Sequence, residues 1–281
     1  MNALEIKNLC KSFSGFSLDN ISLTLPSGCI MGLVGENGAG KTTTIKLILD
    51  IIHKDGGTIT VLGKDNGENI ALTKEDVGVV MDEAGIPECL TTVQVGRVMK
   101  HTFRNWDEAE YAHLVKKLSL PENKPFKDFS RGMKMKLGIA IAMSHGAKLL
   151  LLDEPTSGLD PVVRDEVVEM FSDFTRDEEH SVLISSHIVS DLEKLCDFVA
   201  FLHKGKLLLC EEKDELLSEY GIVQCTADQL GAFPSGTVKY KKETPYGVEI
   251  MMRRAEIPEG FKVIPISIEE LFVFMVKEAR S

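Results

Sequence analysis

Eight consecutive residues, Gly35-Glu36-Asn37-Gly38-Ala39-Gly40-Lys41-Thr42, limit what this chain can fold into more than any other stretch. They follow the apolar run Cys29 to Val34 and precede a segment dense in Ile and Leu, so the pattern G-x-x-x-x-G-K-T falls between a strand and a helix. Glycines at this spacing let the backbone fold tightly, turning successive N–H groups and the helix N-terminus toward an anion. The chemistry that suits such a loop is a chain of phosphates. Lys41 then reaches the β- and γ-phosphates, and the Thr42 hydroxyl offers an oxygen to Mg²⁺.

The remaining chain supplies a matching frame. Short apolar runs at Leu4 to Leu9, Leu18 to Leu25 and Cys29 to Val34, divided by Gly, Pro and Asn, predict a β-rich start. Lys41 to Ile52 is too apolar for a surface helix and predicts one buried under a sheet. Strands are expected at Thr58 to Leu62 and Val77 to Val80, then a helical insertion between Thr91 and Met143. Leu149 to Leu152, Pro161 to Arg176, Val182 to Ile184, Ile188 to Leu195 and Phe198 to Leu202 alternate strand with helix, which argues for a mostly parallel sheet. Past about Glu211 the texture shifts to short strands with Gly and Pro turns. The last element is a helix with capping-box spacing, Ser267 and Glu270, whose Ile268, Leu271, Phe272 and Met275 share one face.

Leu149-Leu150-Leu151-Leu152-Asp153-Glu154 is the natural second half of the site. A strand apolar on both faces ends in two carboxylates at the sheet edge where α/β folds place ligands. Asp153 is suited to Mg²⁺, and Glu154 to polarising an attacking water at the γ-phosphate. Asp160 and Pro161 are suited to N-cap and first position of a helix.

Composition narrows the class. With 281 residues and 43% hydrophobic content the chain is an ordinary globular one, either one large domain or a main domain with an appendage. A net charge of −11 argues against nucleic acid as a partner, so phosphate must be gripped locally. The six cysteines are scattered, without metal-knuckle or dithiol spacing, and fit a reducing, cytoplasmic address. No stretch has the length and apolarity to span a bilayer.

At this point the residues resemble the ATP-binding cassette family, the nucleotide-hydrolysing subunits of ABC transporters. The loop Gly35 to Thr43, then Leu149 to Asp153, Glu154-Pro155-Thr156-Ser157-Gly158-Leu159-Asp160 and His187, form the family's ordered set over roughly residues 1 to 210. The resemblance implies an α/β fold: a P-loop NTPase with a mostly parallel sheet core, an N-terminal antiparallel β region, a helical insertion and a small C-terminal α+β extension. It implies a cassette over residues 1–211, with a helical subdomain at about 88–146, and an extension over 212–281. ATP and Mg²⁺ are the implied cofactors. Gly35, Glu36, Asn37, Gly38, Ala39, Gly40, Lys41, Thr42 and Thr43 would cradle the nucleotide, Glu154 and Lys41 would act in catalysis, and His187 would be the switch histidine beside the γ-phosphate. Ser157 to Asp160 looks like the loop that meets a partner cassette.

Three places depart from the family pattern. Its Leu-Ser-Gly-Gly-Gln signature reads Phe129-Ser130-Arg131-Gly132-Met133 here, retaining Ser130 and Gly132. A serine opening a helix still offers a hydroxyl and helix N–H groups to a phosphate. In the family that contact crosses a head-to-tail dimer, so a homodimer or a heterodimer with another cassette is expected. Arg131, Lys134 and Lys136 add positive charge there, as phosphate assistance or as a solvated helix face. Where the family has glutamine, Asp82 stands, or Glu83 if the register slips by one; a carboxylate there is a hard ligand for Mg²⁺. Phe13 is similar to the aromatic that stacks on adenine, with core packing of Phe13 or Phe16 as the plain alternative.

The resemblance thus implies an ATPase driving a separate transmembrane permease, an exporter, from the inner face of the cell membrane. The coupling surface would be Thr91 to Ser144 with the loop Asp82 to Leu90. The other reading is a soluble cassette ATPase acting on ribosomes or other macromolecules, whose relatives carry two cassettes or a long coiled coil.

Overall fold

In the computed structural model, residues 1–67, 74–81, 85–234, 236–238, 240–245 and 247–279 are described. Among them the apolar alternation resolves into two layers of sheet with helices between and around them. β1 (Asn2–Phe13), β2 (Phe16–Pro26), β4 (Gly56–Val61) and β5 (Lys64–Asp65) make an antiparallel sheet in the order β2-β1-β4-β5. The central sheet runs β10 (Lys206–Glu212), β9 (Phe198–His203), β3 (Ile30–Gly35), β8 (Ser181–Ser186), β7 (Leu149–Asp153), β6 (Val77–Val80). Its pairings are parallel except that of β9 with β10.

The parity of each central strand explains the burial. Leu150 and Leu152 of β7 pack with the helical side of the molecule, while Leu149 and Leu151 face the core shared with the antiparallel sheet. In β8, Val182 and Ile184 divide from Leu183 in the same way, and in β9, Val199 and Phe201 from Ala200 and Leu202. A strand covered on both faces needs no polar alternation, which is why these runs read as continuous apolar sequence. The predicted mostly parallel sheet and antiparallel start are both present.

α1 (Lys41–Ile48) is shorter than the run Lys41 to Ile52 implied. Asp50 takes a left-handed φ of 51°, its N–H donates to the Leu47 carbonyl and that of Ile51 to the Lys46 carbonyl, closing the helix. Apolar density carried the expected helix past this stop, and Ile51 ends up 57% exposed. The helical insertion holds α2 (Thr92–Thr102), α3 (Glu108–Lys117) and α4 (Arg131–Met143), capped by Thr91, Asp107 and Ser130. α5 (Pro161–Phe174) starts at an Asp160 cap with Pro161 first, and α6 (Val189–Leu195) follows β8.

Beyond α7 (Lys213–Glu219), β11 (Tyr220–Cys225), β12 (Tyr240–Thr244), β13 (Gly247–Arg253) and β14 (Val263–Ile264) form a third, antiparallel sheet. α8 (Ile268–Glu278) opens with the anticipated Ser267–Glu270 capping box. It does not stay with that sheet alone: Phe272 meets Phe201 of the central sheet edge-on, ring centroids 5.3 Å apart, and Tyr240 of β12 contacts Phe274.

Candidate active site

Because all the central strands but one run the same way, their C-terminal ends lie along one edge. Gly35, Ser186 and Asp153 end the neighbouring strands β3, β8 and β7 in that order. Residues 111 apart in sequence, Thr42 and Asp153, are thereby in contact.

The loop after β3 is shaped by two glycines. A Cβ on Gly35 would stand 2.6 Å from the Leu202 carbonyl oxygen, and one on Gly40 2.6 Å from Leu18 Cδ2. Gly40 also takes φ 113°, a left-handed conformation open to glycine, as it caps α1. Lys41 follows, buried, its Nζ donating to the Gly35 carbonyl at 2.7 Å and standing 3.2 Å from Glu154 Oε1. Thr42 Oγ1 donates to Asp153 Oδ2 at 2.6 Å.

Asp153 and Glu154 divide their environments. Asp153 is 5% exposed, and its second oxygen accepts from Ser185 Oγ at 2.5 Å. Glu154 has φ 53°, left-handed for a non-glycine residue, a strain of about 1–2 kcal/mol. That turn breaks the strand alternation and aims the carboxylate at the cleft beside Asp153. The Ser185 carbonyl and hydroxyl hold the Glu154 N–H at 3.1 and 3.2 Å. Glu154 Oε2 lies 2.6 Å from His187 Nδ1 and accepts from the His187 backbone N–H at 3.3 Å, while Oε1 faces Lys41. The carboxylate is therefore pinned between an ammonium and an imidazole, an arrangement able to take a proton from a water and pass it on.

The cleft over these groups has a volume of about 530 Å³, with Glu36, Gly38, Lys41, Thr43 and Glu154 in its wall. Asn37, Gly40 and Thr42 complete the loop side. Its aromatic wall is Phe16, next to Gly15. Phe13 is not among the lining residues; it is 45% exposed and stacks on Phe16 with centroids 6.4 Å apart. Ser130, Gly132 and Asp160 do not line the cleft either. Gly132 faces the turn that Asp160 ends instead: a Cβ on it would sit 3.2 Å from the Gly158 carbonyl oxygen. Asp82 and its alternative Glu83 lie outside the described residues.

Two groups are not legible in the motifs. Ser185 Oγ donates to the Asp153 carboxylate and accepts from the Glu154 backbone N–H, and its only sequence signal is a polar pair ending an apolar strand. His203, buried at the end of β9, sits with Nδ1 3.2 Å from Glu36 Oε2; nothing in the spacing from the loop announces that contact. The donor chemistry suits a hard dication: a threonine hydroxyl and a carboxylate side by side, with a lysine adjacent for the anion such a cation accompanies. Among the described residues no helix is long and apolar enough to cross a membrane.

Comparison with known proteins agrees with this geometry. The family described as ABC transporter matches residues 18–157. The lantibiotic transport ATP-binding protein SrtF of Streptococcus pyogenes is 36% identical over 214 residues, covering 75% of this chain and 91% of that protein. The ABC transporter ATP-binding protein YtrB of Bacillus subtilis is 28% identical over 287 residues, covering 96% of this chain and 97% of that one. Among solved structures, one described as the ATP binding subunit of an ABC transporter superposes with a TM-score of 0.67 at 26% identity, covering 76% of this chain and 91% of that one.

Proposed function

The chain belongs to the ATP-binding cassette transporter family as an ATP-hydrolysing, ATP-binding subunit, and we propose that it works as one of a head-to-tail pair of cassettes that drives a separate transmembrane permease in export. The observation that carries this reading is the single hydrogen-bonded and ionic chain Thr42–Asp153–Ser185–Glu154–His187, with Lys41 on the Glu154 carboxylate.

In this reading the loop Gly35 to Thr43 wraps the phosphates and Lys41 neutralises them. Thr42 and Asp153 would hold Mg²⁺, which when bound supplies charge neutralisation at the phosphates; Asp82 is proposed beside them from its sequence position. Glu154 accepts the proton of the attacking water, and His187 holds Glu154 while sensing the γ-phosphate side of the cleft. The Phe13–Phe16 pair offers its face to the base, with Phe16 nearest the cleft. Ser130, Gly132 and Asp160 lie off this cleft, as residues serving a second chain's nucleotide would; this supports the paired arrangement. The 1–211 cassette would do the chemistry, and 212–281 would form an extension. Export is inferred from the lantibiotic-transport relative, and the position at the inner membrane face follows from the partner permease.

The test is capture of the Glu154→Gln chain from detergent-solubilised membranes with MgATP, followed by mass spectrometry. Steady-state hydrolysis is expected to fall on the order of 10²–10⁴-fold while ATP binding persists. A stoichiometric polytopic membrane protein should co-purify. Ribosomal proteins in its place would refute the permease partnership, and undiminished turnover would remove Glu154 from the base role.

A further inference from the structure

α5 and α6 each begin shortly after a residue of the site in sequence. α5 is capped by Asp160, just past the turn that follows Glu154, and α6 starts two residues after His187. One helical turn into each, four residues from Asp160 and four from His187, Arg164 and Asp191 face one another with Nε 3.8 Å from Oδ2. Asp191 is 8% exposed, and both of these atoms are buried without a hydrogen-bond partner among the described residues. At 3.8 Å the two charges attract but are too far apart to hydrogen-bond. Such a pair is poor stabilising material, because the buried Asp191 carboxylate keeps much of its desolvation cost while the Arg164 side chain stays partly exposed. The exposed Lys194–Asp165 pair, 3.6 Å, spans the same two helices but is open to screening.

We propose that Arg164 and Asp191 are positioning residues for hydrolysis: their partly buried pair sets the spacing between the helix rooted at Asp160 and the helix rooted behind His187, and so holds His187 against Glu154. The proposal rests on the reading of Glu154 and His187 given above. The lever is short. A shift of α6 by the distance needed to close or open the pair acts one turn away on His187, whose Nδ1 lies only 2.6 Å from Glu154 Oε2. Proton transfer falls steeply with such displacement, whereas nucleotide affinity, set by the loop after β3, does not depend on it. The signature of the pair is therefore a loss in kcat with KM for ATP kept.

The experiment is steady-state hydrolysis of ATP by the full chain carrying Asp191→Asn, Arg164→Gln, both together, and Arg164→Lys, with melting temperature recorded for each and Glu154→Gln run alongside. Each of the first two is expected to lower kcat about tenfold, with KM within about twofold of the parent. The double variant should lose no more than either single, and Arg164→Lys, which keeps the charge, should recover most of the rate. Parental kcat in both singles, losses that multiply in the double variant, or an equal loss in Arg164→Lys and Arg164→Gln would each overturn the proposal. If Asp191→Asn fails to fold, the comparison of Arg164→Gln with Arg164→Lys, at a partly exposed side chain, decides between the two outcomes. Should Glu154→Gln itself hydrolyse at the parental rate, the underlying reading of the site fails; should it be inactive while the Arg164 and Asp191 variants behave as the parent, only this inference does.

Discussion

Single residues in this chain are held by close approach and burial. Gly40 combines a left-handed φ with a would-be Cβ contact of 2.6 Å to Leu18. Gly40→Ala is accordingly expected to distort the loop and weaken ATP binding at least tenfold, measured by titration with a fluorescent nucleotide; unchanged affinity would show that the loop tolerates a side chain there. His145 is a second case. It is buried against Phe103, rings 4.0 Å apart, with Nδ1 donating to the Glu75 carbonyl at 3.1 Å. Burial holds its pKa below the ordinary 6.5, so the folded protein resists a proton that the unfolded chain accepts. Stability contributed by neutral His145 is thus fully present above about pH 6.5 and lost as pH falls toward the lower folded value. Urea midpoints at pH 7.5 and 5.5 should differ less in His145→Asn than in the parent.

At the scale of elements, helix ends carry much of the information. Asp107, Ser130, Asp160 and Ser267 each accept the backbone N–H three residues on, and the last forms a full capping box. Ser267→Ala should cost about 1 kcal/mol, which in a chain of this size lowers the melting temperature by roughly 2–4 °C. A scanning calorimetry trace without that shift would mean that α8 is held by its packing alone. The caps at Ser130, Asp160 and Ser267 were legible because a side-chain cap is local, with donor and acceptor three residues apart; Asp107 was not singled out in the sequence. The end of α1 was not legible, since the left-handed turn at Asp50 competes with a run of Ile and Leu that would extend the helix.

The whole molecule is built around one sheet edge, with the C-terminal segment as part of its cover. Leu271, Phe272 and Phe274 of α8 are buried in the same core as Leu150 and Phe201. Deleting residues 267–281 removes that cover, and on the order of 5 kcal/mol of stability should go with it. The unfolding midpoint in urea would report the loss, and the mass of the ATP-bound assembly in the same variant would report any part in pairing. An unaltered midpoint would mean that α8 contributes nothing to the cassette core. The soft boundary read near Glu211 coincides with the end of β10, yet the packing of α8 ties the two stretches together.

Sequence alone determined the glycine-rich loop between strand and helix, the paired carboxylates, the caps at Ser130, Asp160 and Ser267 and the mostly parallel sheet, because each depends on neighbours within one turn, one strand or one motif. Tertiary structure decided which of these groups meet. Strand order β3-β8-β7 brings Thr42 to Asp153, and the left-handed turn at Glu154 brings its carboxylate to His187. Phe16 takes the cleft wall while Phe13 lies outside it, and Ser130 with Gly132 stands apart from the cleft. Such facts depend on contacts between residues tens to more than a hundred positions apart, which are set by packing a common core and leave no periodicity in the chain itself.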